Sequence, residues 1–328
     1  MEKVNTKTYK NADAAGNDRF SLSIVIPVYN SEAILPELAK RLSLVIPQMS
    51  DDFELILVND GSRDNSWQEI LRLTGEYRWI RGFSLMRNYG QHNALLCGIR
   101  QAEKEVIVTM DDDLQHPPEE IPKLLEKLKE GFDVVYGAPE KENHGVLRDL
   151  ASQITKIALQ SGMGADTARR VSAFRAFHAY IRKGFDDYRG SFVSIDVLLT
   201  WAASKFTWIS TKHLPRAVGK SNYSLMKLVT HALNMITGFS TLPLQIASIV
   251  GFVFTIFGVL VLFYVIIRYL IQGSPVPGFP FLAAIIAVFS GAQMFSLGII
   301  GEYLARIHSQ SMNRPSYEIK HRTESLDT

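Results

Sequence analysis

Short apolar runs alternate with amphipathic stretches over the first 140 residues. Runs at 21–28, 53–59, 80–85, 105–110 and 133–137 carry apolar residues, mostly Val, Ile and Leu, and have the length of strands. Between them, at 31–47, 65–74, 90–101 and 118–131, apolar positions recur at helical spacing. This β-α-β-α order predicts an α/β fold with a doubly wound, mostly parallel sheet. The pattern then changes. Segments 244–267 and 279–300 are apolar throughout and uncharged, and each is long enough to cross a bilayer core as a helix. An uncharged, Gly- and Pro-rich turn at 272–278 joins them. Arg268 closes the first span, where its long side chain can reach the interface.

Charge sets the orientation of these spans. Lys212, Arg216, Lys220 and Lys227 precede them, and Arg306, Arg314, Lys320 and Arg322 follow. Lys and Arg gather on the cytoplasmic side of membrane helices, so both termini and the α/β domain are expected in the cytoplasm of a bacterial inner membrane. Segment 224–241 carries Leu225, Leu228, Val229, Ala232, Leu233, Met235 and Ile236 at helical spacing. It suits an interfacial helix lying on headgroups, or a contact with a neighbouring subunit. Gly298 and Gly301, with Gly251, Gly258 and Gly291, place small residues in the spans and permit close helix approach, so a homo-oligomer is expected. The expected division is a disordered 1–20, an α/β domain at 21–223, an interfacial region at 224–243, transmembrane helices at 244–271 and 279–301, and a cytoplasmic tail at 302–328.

Composition narrows the partners. The chain has 328 residues, is 47% hydrophobic and carries a net charge of +2. Such a balance does not suggest a nucleic-acid binder, which presents a concentrated basic face. Its single cysteine, Cys97, lies within an apolar helical pattern and reads as a small core hydrophobe. No Gly-x-x-x-x-Gly-Lys-Ser/Thr loop is present, which argues against an ATPase.

The densest chemistry lies at Val106-Ile107-Val108-Thr109-Met110-Asp111-Asp112-Asp113-Leu114-Gln115. An apolar strand ends there on three carboxylates. Ligands bind at the carboxyl ends of strands in open α/β sheets. Adjacent acids repel unless a cation neutralises them, and oxygen donors of this kind suit Mg²⁺ or Mn²⁺, which in turn grip a diphosphate. A solvated acidic turn is the alternative.

Three motifs in this order, Ser23-Ile24-Val25-Ile26-Pro27-Val28-Tyr29-Asn30, Val58-Asn59-Asp60-Gly61-Ser62 and Asp111-Asp112-Asp113-Leu114-Gln115, resemble family 2 glycosyltransferases of the GT-A fold. Arg87-Asn88-Tyr89-Gly90-Gln91-His92 and the paired spans make the chain similar to the polyprenyl-phosphate glycosyltransferases over residues 20–315. That group includes dolichol-phosphate mannosyltransferase, the bactoprenol glucosyltransferases and the undecaprenyl-phosphate aminoarabinose-type transferases.

The resemblance implies a metal-dependent, inverting transfer of a sugar from a UDP-sugar donor to polyprenyl phosphate. Glucose from UDP-glucose is the expected donor. The alternatives are an aminoarabinose derivative, mannose, or a non-catalytic membrane adaptor on a transferase fold. It places Pro27, Tyr29, Glu32, Asp60, Asp111, Asp112 and Lys220 around the nucleotide, and Asp111, Asp113 and Gln115 around Mg²⁺ or Mn²⁺. Asp60 reads equally as a turn or capping residue. His92 contacts nucleotide or caps the following helix, and His116 stands beside Gln115 as a supporting group. A phosphate-gripping role falls to Arg148, Arg175 and Arg216, because arginine forks suit phosphate. With Asp111 and Asp113 these form the expected catalytic set. Three positions depart from the family pattern: Asn222 replaces a lysine, Arg169 and Ala173 stand where an acid precedes Phe174-Arg175, and no arginine follows Gly137.

Overall fold

The computed structural model describes residues 19–139, 163, 165–190, 193–214, 242–272, 278–312 and 314–323. Its α/β domain is built on one eight-stranded sheet in the order β7-β5-β6-β4-β1-β2-β3-β8. The strands are β1 (Leu22–Val28), β2 (Phe53–Asn59), β3 (Ile80–Leu85), β4 (Val106–Thr109), β5 (Val134–Pro139), β6 (Arg175–His178), β7 (Phe206–Thr211) and β8 (Ile319–Arg322). β1, β2, β3 and β4 run parallel, as do β5 and β7, while β6 lies antiparallel between β4 and β5.

Helices cover both faces, which is why the central strands are apolar on both sides rather than alternating. On one face α1 (Leu35–Val45), α2 (Ser66–Glu76) and α4 (Ile121–Lys129) pack on Leu22, Ile24, Ile26 and Val28. On the other, α3 (Gln91–Gln101) and α6 (Ile195–Thr200) pack on Val25, Ile56 and Ile107. A short helix α5 (Ala165–Arg169) precedes β6. Pro27 fits inside β1 because the pairing with β4 ends at Val25↔Thr109, so the side on which its N–H is missing has no strand to receive it.

The two apolar segments form α7 (Leu242–Gln272) and α8 (Phe279–Ser311), in contact through Phe254, Phe257 and Phe289. Over Leu244–Ile271, α7 is long and apolar enough to cross a membrane. The tail is more ordered than its polarity suggests. After α8, Ser316 Oγ donates to the Gly190 carbonyl at 2.8 Å, Tyr317 packs on the core, and β8 pairs antiparallel with β3. Segment 224–241, with the amphipathic helix expected there, lies outside the described residues.

Candidate active site

The sheet order creates the site. From β1 the chain winds to β2 and β3 on one side, then returns to place β4 on the other. Connections therefore leave the carboxyl ends of β1 and β4 in opposite directions and open a crevice between them. Both crevice loops hold a non-glycine residue in the left-handed region, Asn30 at φ 54° and Leu114 at φ 58°. Each such residue costs roughly 1–2 kcal/mol, and strain of this kind concentrates at functional sites. At Leu114 the bend lets the Gln115 N–H reach Asp113 Oδ1 at 3.1 Å.

The three acids take different neighbours. Asp112 crosses the crevice: its Oδ2 accepts from Ser31 Oγ at 2.5 Å and from the Tyr29 N–H at 3.4 Å. Burial pushes its carboxyl up to about 6 against those two donors. Asp112 thus stitches the β1 loop to the β4 loop. Asp111 accepts from Gln91 Nε2 at 2.5 Å, and Asp113 is buried beside Gln115. Asp111, Asp113 and Gln115 offer oxygen donors alone, which suits a hard divalent cation that completes its shell with water and phosphate. Among the described residues, no three His, Cys, Asp or Glu side chains gather around one point.

The nucleotide-facing candidates prove to be loop anchors as well. Asp60 accepts from the Tyr89 and Gly90 N–H groups at 2.7 and 2.8 Å and so ties the loop after β2 to the loop after β3. Burial raises its pKa despite those donors. Glu32 accepts from the backbone and side-chain nitrogens of Asn65, both at 3.2 Å, at the start of α2. Gly61, at φ 63°, brings the β2 loop against residue 88, where an added Cβ would stand 2.5 Å from the Asn88 nitrogen. Tyr29 is exposed at the crevice mouth, and the Arg87 guanidinium lies 4.7 Å from the Tyr89 ring centroid. His92 Nδ1 accepts from the Ile195 N–H at 3.3 Å, which joins α3 to α6.

Arg175 departs from its expected role. Its side chain is 1% exposed, its guanidinium pairs with Asp196, and its Nε donates to Thr109 Oγ1 at 3.0 Å. A guanidinium held this way is engaged inside the domain rather than open to a lipid phosphate. Asp196, reached 21 residues later in the chain, partners Arg175, whereas Arg169 and Ala173 stand where the family pattern has its acid. The sequence hint was an acid inside the apolar run 193–199, since buried acids are almost always paired.

His116 stacks on Phe174 at 5.2 Å and meets His213 edge-on at 5.0 Å. Burial, with His213 beside it, pushes it down to about 4 and keeps the ring neutral. His213, which periodicity did not single out, belongs to the strap after β7. There the Leu214 N–H donates to the Gln115 carbonyl at 2.8 Å and the Lys212 N–H to Glu120 at 3.3 Å. This strap runs along the acidic turn to within two residues of Arg216. Arg148, Arg216 and Lys220 themselves lie outside the described residues, as does Asn222.

Comparison with known proteins decides the family. Residues 23–189 match the family model described as Glycosyl transferase family 2. The chain belongs to glycosyl transferase family 2. It is similar to the undecaprenyl-phosphate 4-deoxy-4-formamido-L-arabinose transferase of Shewanella sediminis, at 36% identity over 91% of each chain. The enzyme of that name from Pseudomonas savastanoi pv. phaseolicola is 38% identical over 91% of this chain and 90% of its own. Among solved structures, glucosyl-3-phosphoglycerate synthase from Mycobacterium tuberculosis, in complex with Mn²⁺, UDP and phosphoglyceric acid, superposes with a TM-score of 0.51. That match has 18% identity and covers 66% of this chain and 76% of the other. The likeness is one of fold, the GT-A architecture, and the family makes this chain a glycosyltransferase.

Proposed function

We propose that this glycosyltransferase moves a 4-deoxy-4-formamido-L-arabinose-type sugar from a UDP donor to undecaprenyl phosphate. The supporting observation is the acidic crevice at the β1/β4 switch, in a chain that matches transferases of that name along nine-tenths of its length. Those names replace glucose as the expected sugar, because they belong to the aminoarabinose-type alternative. The apolar α7 suits a lipid acceptor and an inner-membrane location with the domain on the cytoplasmic face. A homo-oligomer through the glycine-bearing helix faces remains part of this reading.

In this reading Tyr29 offers its exposed ring to the nucleoside, and the Asp60-anchored loop at 87–91 closes one side of the crevice. Asp111, Asp113 and Gln115 hold Mg²⁺ or Mn²⁺, which when bound neutralises the leaving diphosphate. The acceptor phosphate is already anionic near neutral pH and needs little help from a general base. Its oxygen attacks the anomeric carbon as the UDP oxygen departs, and one displacement inverts that centre. Arg148 and Arg216 are proposed to hold the acceptor phosphate in line, since forked donors fix its direction.

Purified protein in detergent, given undecaprenyl phosphate and Mn²⁺, tests this with UDP-linked formamido-arabinose and UDP-glucose in parallel. Lipid-linked product from the first alone, lost in Asp113→Ala and on chelation, is expected. Product from UDP-glucose alone overturns the sugar assignment. Absence of product from every nucleotide sugar tried overturns the transferase reading of this site.

A further inference from the structure

We propose that the buried pair Arg175–Asp196 is a positioning device that holds the carboxylate edge of β4 in its cation-binding geometry. Thr109, Arg175 and Tyr136 sit directly opposite one another on β4, β6 and β5. Side chains paired in this way project from the same face of a sheet. Helix α6 supplies Asp196 to them, and its Oδ1 accepts from Arg175 and from the Tyr136 hydroxyl at 3.1 Å. Arg175 Nε then reaches Thr109 Oγ1 at 3.0 Å, and Thr109 Oγ1 donates to the Ala173 carbonyl at 2.7 Å. Thr109 lies two residues before Asp111.

A second route joins the same helix to the same acid. Ile195, next to Asp196, donates its N–H to His92 Nδ1, and neighbouring Gln91 donates to Asp111 Oδ1. The links close into a ring through Asp111, Thr109, Arg175, Asp196, Ile195, His92 and Gln91. Movement of Asp111 along or across the strand therefore strains the ring. Buried ion pairs are poor sources of net stability, and apolar pairs of similar size often replace them without loss of fold. What an apolar pair cannot supply is the directed bond from Arg175 to Thr109. Groups that orient metal ligands from behind change metal affinity about 10–100-fold when removed.

This inference rests on the reading that Asp111 and Asp113 bind a divalent cation, and the test separates the two. Mn²⁺ binding to the full chain in detergent is followed by electron paramagnetic resonance, with thermal unfolding measured alongside. The variants are Asp113→Ala, the double variant Arg175→Met/Asp196→Leu, Thr109→Val and Thr109→Ser. Expected is a loss of Mn²⁺ affinity of about tenfold or more in the double variant, with cooperative unfolding retained and the thermal midpoint lowered by the Tyr136 hydroxyl left without its acceptor. Thr109→Val is expected to lose affinity in the same direction, while Thr109→Ser, which keeps the hydroxyl, retains it. Should the double variant not fold, the Thr109 pair decides alone. If Asp113→Ala loses Mn²⁺ while the double variant and Thr109→Val bind as wild type does, the positioning role is overturned and the cation site stands. If Asp113→Ala binds as wild type does, both fall.

Discussion

In β1 all seven residues from Leu22 to Val28 are buried, whereas in α7 the side chains of Phe252 and Leu270 stand 67% and 75% exposed. The two segments share a side-chain chemistry and differ in where it goes. β1 finds its apolar partners inside the chain, on β2, β4 and the helices of both faces. Among the described residues, α7 finds few along most of its surface apart from those of α8. Burial of a Phe or Leu side chain contributes about 1.5–3 kcal/mol, and a helix with this much uncovered apolar surface suits a second apolar phase around it. The cost of a substitution is therefore set by what surrounds the side chain, not by the side chain alone.

A carboxylate placed in each region gives the largest expected difference. Val108→Asp buries an unpaired charge among β1, β6 and the helices, an insult on the order of 5 kcal/mol. It should leave no cooperative unfolding transition by circular dichroism. Leu260→Asp should leave that transition in place and weaken membrane partitioning instead, by about 3 kcal/mol of insertion free energy. Flotation of the protein with vesicles reads that loss. Equal loss of folding in both variants would erase the distinction drawn above.

Gly61→Ala acts inside the domain and should cost about 1–3 kcal/mol, because a left-handed backbone and a backbone clash coincide at that position. Its expected signature is a lowered thermal midpoint, with looser proteolytic protection of the loop at 87–90. Cys97 sharpens the comparison chemically. Burial pushes its thiol up to about 12, and only the thiolate reacts readily. Iodoacetamide at pH 8 should label it in denaturant and leave it unmodified in the native protein. The smallest expected effect belongs to Arg72→Ala on the outer face of α2. Its pairs with Glu69 and Glu76 stand in water, and the thermal midpoint should not move measurably.

The parts of this fold that explain themselves locally are legible in sequence. β2 and β3 are short runs with apolar residues at their buried positions, set between turn residues, and they appear where the pattern places them, at Phe53–Asn59 and Ile80–Leu85. β6 and β8 are four-residue strands, Arg-Ala-Phe-His and Ile-Lys-His-Arg, whose extended form depends on partners far along the chain. No local pattern announces them. The same distinction holds in the site. The acids at 111–113 were visible because they cluster, and the loops around Asp60 because Asp-Gly-Ser is turn chemistry. The bond from Asp196 to Arg175 was not visible, because it joins β6 to a helix on the sheet face. Glu32 shows a subtler limit: a carboxylate that accepts from Asn65 and one that accepts from a ligand read identically in a sequence.

One consequence follows from β8. The chain leaves the domain after β7, passes through the two long helices, and comes back to pair Phe83, Ser84 and Leu85 with the last strand, while Gly82 N–H donates to Thr323 Oγ1 at 2.8 Å. A domain moored by one flexible lead can swivel; a domain moored on both sides of a helical hairpin cannot turn freely about either lead. The return strand also covers what would otherwise be a bare rim of β3, the kind of edge that recruits foreign strands. Residues 319–323 therefore act as a clasp. Cutting it would leave the domain tethered on one side only and, in the same stroke, make it sticky.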